Sequence, residues 1–399
     1  MFNTNYNKYS VCYIGPILIV IFIIMASCHR RSSSTIDTIF VDHMNADELS
    51  FDSVVASVEI TPLEKTDHSL VGPINGFCFV NDKYYVLDAI LVKGVLVFDK
   101  SGKYINTFRK HGRGPEEYIS MRSFLVDAES KTIEIYSYDN RTIYIYDIET
   151  FAFIQKHEIG MRASSFVKKN GKYYIQTNQI RNVVNNKETN ADIIVYDPVS
   201  GGFETIFEKL LPVDPSNRTL EIDNIFFKTQ DDRLYVNRLF VDTLFSLNGI
   251  DAVPRYIIDH NGLFYKNVSY KEFPEKEKEF LRGTMGQCRI VQIHDDNIIL
   301  SYMYDAIFEK TIFEVPKPPR IGYIIYSSQT RKTLTLRGLK GSMVDLSYFL
   351  PTNYTSEGII VVISPPFNEL NEGVKKLYGL TEDSNPVLVK ITLRTDIYE

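Results

Sequence analysis

A three-strand unit recurs along this chain. Residues Lys83 to Phe108 read KYYVLDAILVKGVLVFDKSGKYINTF. The same order returns as KTIEIYSYDNRTIYIYDIETFAFI from Lys131 to Ile154. It returns again as KYYIQTNQI and DIIVYDPVSGGFETIF between Lys172 and Phe207. Each copy holds an alternating strand, a polar loop, a second strand ending near Asp, a tight turn and a third strand. One such unit cannot cover both of its faces, whereas stacked units bury a shared core. The pattern therefore points to a repeat of antiparallel sheets, and it specifies no reaction.

Taking the second strand of each unit as a register mark places units near Lys83, Lys131, Lys172, Arg233, Asn297 and Gly358. The steps between these marks are 48, 41, 61, 64 and 61 residues. The early steps match a four-stranded propeller blade, and the later ones require insertions. The expected fold is all-β: a six-bladed β-propeller with four-stranded antiparallel blades and short helical insertions. Phe264–Arg282 and Asn368–Leu380 read as polar, partly helical insertions, and Arg181–Asn190 as an Asn-rich loop. The strand-like segments Thr38–Val41 and Ser53–Leu63 precede the first full blade, and VLVKITL (Val387–Leu393) ends the chain. Pairing N-terminal strands into the last blade would cover an exposed sheet edge. A pair of β-sandwiches is the alternative, but the repeats lack long Greek-key crossings.

Composition supports a large core: 44% of the 399 residues are hydrophobic and 24% charged. There is no Trp, yet there are 26 Tyr and 25 Phe, residues that suit a pleated, half-buried surface. A net charge of −6 and the lack of long basic runs argue against a nucleic-acid partner.

The N-terminus reads as a targeting segment. Lys8 is the only formally charged side chain before His29, and an apolar run covers Ile14–Met25. Ala26 and Ser27 then precede Cys28, which resembles a bacterial lipobox with acylation at Cys28. The expected organisation is a signal peptide over 1–27, a tether over 28–37 and the propeller over 38–399. An uncleaved anchor is the alternative, since Val11–Cys28 is about long enough to span a bilayer. Either arrangement puts the domain outside the cytoplasm. His29-Arg30-Arg31 and the serines that follow carry no acidic cluster. Surface-exported lipoproteins resemble one another in carrying such a cluster, so an outer-membrane lipoprotein facing the periplasm is favoured over one at the surface. Beyond Cys12 and Cys28, Cys78 and Cys288 lie in or beside strand-like segments and are expected as buried, unpaired thiols.

Catalytic signatures are sparse. No H-E-x-x-H, G-x-S-x-G, P-loop or D-x-D-x-D-G motif occurs, and no two His share helical metal spacing. No metal, cofactor or catalytic residue is assigned. The acidic pairs Asp231–Asp232 and Asp295–Asp296 precede strands and read as turn residues. Glu116–Glu117 sits instead in the loop between the first two units.

Propeller geometry directs the search for a binding site. Connections between blades share a face with the loops between second and third strands, and loops on a rigid scaffold are where binding sits. That face should hold Asp88 and Lys93, Asp139 and Arg141, Asn178 and Arg181, Arg238 and Asp242, and Tyr304 and Asp305. Arg113, Arg141, Arg181 and Arg238 together would make a basic mouth for carboxylate or phosphate groups. Alternatively, each Arg pairs with a nearby Asp such as Asp139 or Asp242 and fixes its own loop. Glu116, Glu117 and Tyr118 are either part of the binding loop or structural, with Pro115 stiffening the crossing, Glu117 accepting backbone N–H groups and Tyr118 packing.

The run HGRGPEEY (His111–Tyr118) resembles the G-x-G-P-G-E-Y motif after the first blade of six-bladed β-propeller lipoproteins of Gram-negative gut anaerobes. Glu116 stands where that motif has Gly. VGPINGF (Val71–Phe77), VLVFDKSGKYI (Val95–Ile105), DTLFSLNGIDAVPRYIIDHNG (Asp242–Gly262) and the terminal NPVLVKITL are similar to further segments of the family. The resemblance covers Thr38 to Leu393 and implies a largely uncharacterised, NHL-like, envelope-located propeller. Three D-[ST]-apolar triplets, at Asp37, Asp52 and Asp242, also resemble the O-glycan acceptor motif of such bacteria.

Together these readings describe a lipid-anchored extracytoplasmic propeller that binds a glycan, peptide or envelope protein, with an anionic group favoured by the arginines. The alternatives are a lyase or hydrolase working at the channel mouth, and an accessory subunit of an envelope complex.

Overall fold

The computed structural model describes residues 36–42, 45–46, 51–178, 180–207, 225–229, 231–238, 241–260, 289–294, 297–304, 320–338, 340–345, 353–355 and 358–394. Within the unit Asp37–Glu399, six sheets form the blades of a β-propeller. The N-terminal arm supplies β1 (Asp37–Phe40) and β2 (Val55–Pro62) before the first blade begins. Blade one is β3 (Gly76–Val80), β4 (Lys83–Asp88), β5 (Gly94–Asp99) and β6 (Tyr104–Phe108). Blade two is β7 (Ser123–Asp127), β8 (Thr132–Ser137), β9 (Thr142–Asp147) and β10 (Phe153–Glu158).

In blade three, β11 (Ser165–Lys169) and β12 (Lys172–Gln176) are followed by a hairpin, β13 (Asn182–Val184) and β14 (Lys187–Thr189), which pair only with each other. β15 (Ile193–Tyr196) and β16 (Phe203–Ile206) complete that blade. Blade four is β17 (Phe226–Lys228), β18 (Leu234–Asn237), β19 (Thr243–Asn248) and β20 (Asp251–Asp259). Blade five is β21 (Arg289–His294), β22 (Asn297–Tyr304), β23 (Arg320–Ser327) and β24 (Lys332–Leu336). Blade six is β25 (Asn353–Thr355), β26 (Gly358–Ile363) and β27 (Val387–Leu393), with β2 as its outer strand.

Ring closure follows from period-2 alternation. Successive side chains of a strand point to opposite faces, so each inner strand feeds two cores. In β26, Ile360 and Val362 pack with Phe77, Val86 and Leu96 of blade one. Ile359, Val361 and Ile363 pack with Tyr323 and Ile325 of blade five. The same division appears in β8: Ile133 and Ile135 face blade one, whereas Tyr136 faces blade three. These strands lack an exposed face, which explains the unbroken apolar run of β26, while β8 also buries Thr132, Glu134 and Ser137.

The two N-terminal strands part company. β2 runs antiparallel to β27, with Val58 opposite Ile391, and so joins both ends of the chain in blade six. β1 corrects the expectation for Thr38–Val41. It begins at Asp37 and lies parallel to β20 as a fifth strand of blade four, with Ile39 opposite Ile258. The physical reason is burial: Ile39 and Val41 complete the core between blades four and five, beside Ile298, Leu300 and Tyr326.

The insertions also resolve in part. Asn368–Leu380 contains a helix, Glu372–Tyr378, capped by the Asn371 side chain and closed by left-handed Gly379. Arg181–Asn190 is the β13–β14 hairpin rather than an irregular loop. Phe264–Arg282 lies outside the described residues. Cys78 is free, as expected, but only half-buried because it lies on the innermost strand of blade one, and desolvation still pushes its thiol well above the ordinary range; Cys288 lies outside the described residues.

Candidate functional site: the connecting-loop face

Strand direction alternates within a blade, so second-to-third-strand loops and blade-to-blade connections emerge on one face. Buried polar side chains tie neighbouring loops together there. Asn385, 2% exposed, receives the Val71 N–H at Oδ1 (3.0 Å). Its Nδ2 donates to the carbonyls of Glu64 (2.9 Å) and Ser69 (2.6 Å), joining blade six to blade one. Asp88, fully buried, accepts N–H groups from Gly72 (2.9 Å), Ile90 (3.0 Å) and Leu91 (2.8 Å).

Further round the ring, Ser120 Oγ accepts the Asp139 N–H at 3.1 Å within blade two. Asn182 accepts the Arg162 N–H (2.9 Å) and donates to the Arg162 carbonyl (3.1 Å), binding the blade-three hairpin to the preceding connection. Gln176 Oε1 receives the Ile225 N–H at 3.1 Å, joining blade three to blade four. Apart from the bonds of Asp88 to Ile90 and Leu91, which close its own loop, each bond in this series links separate segments 16 or more residues apart, so the face is a tied frame.

The HGRGPEEY loop is held by its own residues. Tyr118 is fully buried; its hydroxyl donates to the Lys93 carbonyl (2.9 Å) and accepts the Lys110 N–H (3.0 Å). Burial, offset in part by the Lys110 N–H, keeps that hydroxyl well above its usual range. Glu117 Oε2 accepts the Gly114 N–H at 2.8 Å. Its carboxylate lies so close to Gly112 that a Cβ there would stand 1.9 Å from Oε2. Glu116 is exposed, and its carbonyl accepts the Tyr146 hydroxyl at 2.8 Å. Lys93 precedes the third strand of blade one and Tyr146 lies on the third strand of blade two, so the loop is bonded to both blades.

The four arginines divide into two pairs. Arg238 Nε lies 2.5 Å from Asp192 Oδ2, largely buried, with its guanidinium carbon 4.2 Å from the Phe207 ring centre. Its carboxylate comes from the neighbouring blade, where the sequence had offered the nearby Asp242. Arg181 is ion-paired with Glu188 across the hairpin. Arg113 and Arg141 are exposed and make no ion pair with a described residue. Arg141 donates through Nη1 to the Gly160 carbonyl at 3.3 Å instead of engaging Asp139. Tyr304 ends β22, and its side chain lies outside the described residues, as does Asp305.

Other residues on this face have no motif to mark them. Arg162 lies beside Arg141, because the Gly160 N–H donates to the Arg141 carbonyl (3.1 Å) two residues earlier. Tyr136 donates to the Met161 carbonyl at 2.8 Å, and its hydroxyl pKa is pushed up to about 12 by burial, with the Arg141 and Arg122 charges working the other way. Large apolar side chains are also exposed here: Leu70, Ile90, Leu91, Ile119, Tyr138 and Leu377. The only signal for Arg162 in the sequence is its position in a blade-to-blade connection, as for Arg113. Among the described residues, no group of three or more His, Cys, Asp or Glu is placed to hold a metal ion.

A six-bladed propeller with a tied, loop-rich face is thus the class of protein that the geometry defines. Residues 35–392 match the family described as a domain of unknown function, DUF4934, and the chain belongs to that family. A protein of Bacteroides fragilis NCTC 9343 described as exported has a similar structure, with 15% identity and a TM-score of 0.68 over 90% of this chain and 100% of that one. A member of the DUF4221 family from Bacteroides vulgatus ATCC 8482 is similar at 12% identity and a TM-score of 0.51, over 86% of this chain and 97% of that one. No match was found among curated proteins.

Proposed function

We propose that the chain is a lipid-anchored, NHL-like extracytoplasmic propeller whose connecting-loop face binds a ligand or assembles with a partner in the cell envelope. The observation that carries this reading is the character of that face. Its loops are tied by buried Asn385, Asp88, Asn182 and Gln176, yet they present exposed apolar side chains and cations without ion pairs. A tied frame keeps such groups in place without the entropic cost of ordering a mobile loop on binding. The apolar run before Cys28 supports acylation there, and the description of the B. fragilis protein as exported agrees with an envelope location. The basic segment after Cys28 favours the periplasmic side. No helix among the described residues is long and apolar enough to cross a membrane.

Two experiments test this. Cys28→Ala should abolish lipid processing and release the protein from membranes; a variant processed and retained like the parent would refute acylation at Cys28. For the working face, a benzophenone amino acid is placed at Tyr138 on the loop face, or at Val199, which is 95% exposed in a turn on the opposite face. Irradiation of cells should give adducts of either protein or glycan from Tyr138 and none from Val199. Adducts from Val199 alone, or from neither position, would overturn the assignment of the face.

A further inference from the structure

On the loop face of blades one and two, exposed aliphatic side chains are interleaved with cations that lack carboxylate partners. Ile90 is 56% exposed and Leu91 63%, in the same loop as Lys93. Lys93 is joined to Lys110 through the Tyr118 hydroxyl, which bonds the Lys93 carbonyl and the Lys110 N–H. Arg109 packs beside Gly94, where an added Cβ would stand 3.3 Å from the Arg109 Cβ. Arg113 follows in the same loop, and Arg141 and Arg162 continue the series through their contacts at Gly160 and Asn182. None of these six cations pairs with a described carboxylate. The exposed acids among these blade-one and blade-two loops are Glu116 and Asp139. The adjoining blade-six connections carry Glu64, Asp67, Glu372, Glu382 and Asp383 against Lys65 and Lys376, so the cationic excess belongs to blades one and two. This excess stands on a chain whose net charge is −6.

The apolar series reaches blade six. Leu70 is 55% exposed and lies between Ser69 and Val71, both bonded to Asn385. Leu377, 74% exposed, projects from the helix Glu372–Tyr378 in the connection that ends at Asn385. We infer that this sector, from the blade-six helix through blade one to Arg162, docks an acidic protein partner, whose carboxylates meet the cations of blades one and two and whose apolar side chains cover Leu70, Ile90, Leu91 and Leu377. The inference rests on the loop face being the working face.

Two physical arguments select a protein over an acidic polysaccharide. Exposed leucines and isoleucines gain mainly from being covered by apolar surface, which a carboxylated sugar chain lacks. Cations at the edge of such a patch mainly steer and select a partner of opposite charge. A mixed apolar and cationic surface therefore fits a folded or helical acidic segment better than a uniformly polar polymer.

The test uses the full chain in its own cells, with the benzophenone amino acid at Ile90 or Leu377. The expected result is an adduct destroyed by protease, whose cross-linked segment is rich in Asp and Glu by mass spectrometry. Lys110→Glu with Arg113→Glu should reduce its yield roughly tenfold. Lys110→Gln with Arg113→Gln should give an intermediate loss, and unchanged melting of both variants excludes misfolding. A periodate-sensitive, protease-resistant adduct would identify an acidic glycan; the inference would fall while the loop-face reading stood. A protein adduct indifferent to charge reversal would also overturn the inference. Absence of adducts from Ile90, Leu377 and Tyr138 alike would remove both readings.

Discussion

The two faces of this propeller use the same chemistry over very different sequence distances. On the turn face, Asp99 Oδ1 accepts N–H groups from Ser101 (2.8 Å) and Lys103 (3.0 Å). Asp147 accepts from Glu149 (3.0 Å) and Thr150 (2.7 Å), and Asp197 from Val199 (2.9 Å). Each bond closes over two to four residues, so the turn is encoded where it forms. On the loop face, Asp88 reaches back 16 residues to Gly72, and Asn385 reaches 321 residues to Glu64. Local turns can form in any blade independently, whereas the loop-face bonds need neighbouring blades in place, and those of Asn385 need the ring closed.

Several residues cross that division. Lys169 Nζ donates to the Leu247 carbonyl (3.2 Å), Lys228 Nζ to the Lys168 carbonyl (3.2 Å), and the Tyr104 N–H to Glu64 Oε2 (2.9 Å), while Lys168 makes the most buried crossing. Lys168 of blade three lies 3.1 Å from Asp127 Oδ2 and 2.9 Å from Glu134 Oε1, both on blade two, and Glu134 is fully buried. Burial disfavours the ammonium charge, but the contacts with Glu134 and Asp127 outweigh it and raise the Lys168 pKa. The Glu134 charge in turn adds to burial in pushing up the Tyr173 hydroxyl.

The comparison can be broken at several points. The largest effect should come from removing residues 385–399, which deletes Asn385 and β27, the strand between β26 and β2. Cooperative unfolding of the whole domain should be lost, because both sheet edges it covers become exposed. A truncated chain melting at the full-length temperature would show that closure does not hold the loop face together.

Lys168→Met should come next, at about 4 kcal/mol, because it leaves the buried Glu134 charge without its cation. Denaturant titration measures this. A cost below about 1 kcal/mol would mean that the link from Lys168 to blade two does not contribute to holding the turn face.

Asn385→Ala should cost about 2 kcal/mol, since it strands the Val71 N–H and two carbonyls in a buried position. It should also speed amide exchange at Val71 in blade one, although the substitution lies in blade six. Exchange confined to blade six would contradict coupling through the loops.

The smallest effect concerns acid. Local hydrogen bonds lower the pKa values of Asp99, Asp147 and Asp197, from Ser101, Thr150 and Val199 in particular. A depressed native pKa means that the unfolded chain binds more protons near the ordinary aspartate range, about pH 4. Stability should accordingly be present above that pH and decline as pH falls through the native values. Asp147→Asn should flatten the acid limb of the melting profile slightly, while Asn385→Ala leaves its slope unchanged. Equal slopes in all three proteins would show that these turns carry no linkage.

Much of the architecture is legible in the sequence. The second-strand marks at Lys83, Lys172, Asn297 and Gly358 coincide with the first residues of β4, β12, β22 and β26, because alternation and turn residues are short-range signals. The Asp-led turns are readable for the same reason. The partners of the arginines are less so. Arg238 chooses Asp192 across a blade junction over a local Asp, and Arg141 takes a carbonyl, since spatial neighbours in a ring are set by blade packing and not by spacing along the chain.

By itself, the sequence determines the strand period, the number of blades and the turn chemistry, each of which depends on residues within a few positions of one another. The tertiary structure alone assigns β1 to blade four and β2 to blade six, pairs Arg238 with Asp192 across a blade junction, leaves Arg113 and Arg141 exposed without ion pairs to described residues, and places Asn385 against residues more than 300 positions away. Those outcomes depend on which surfaces meet when six sheets close into a ring, and closure joins residues whose separation along the chain carries no trace of their contact.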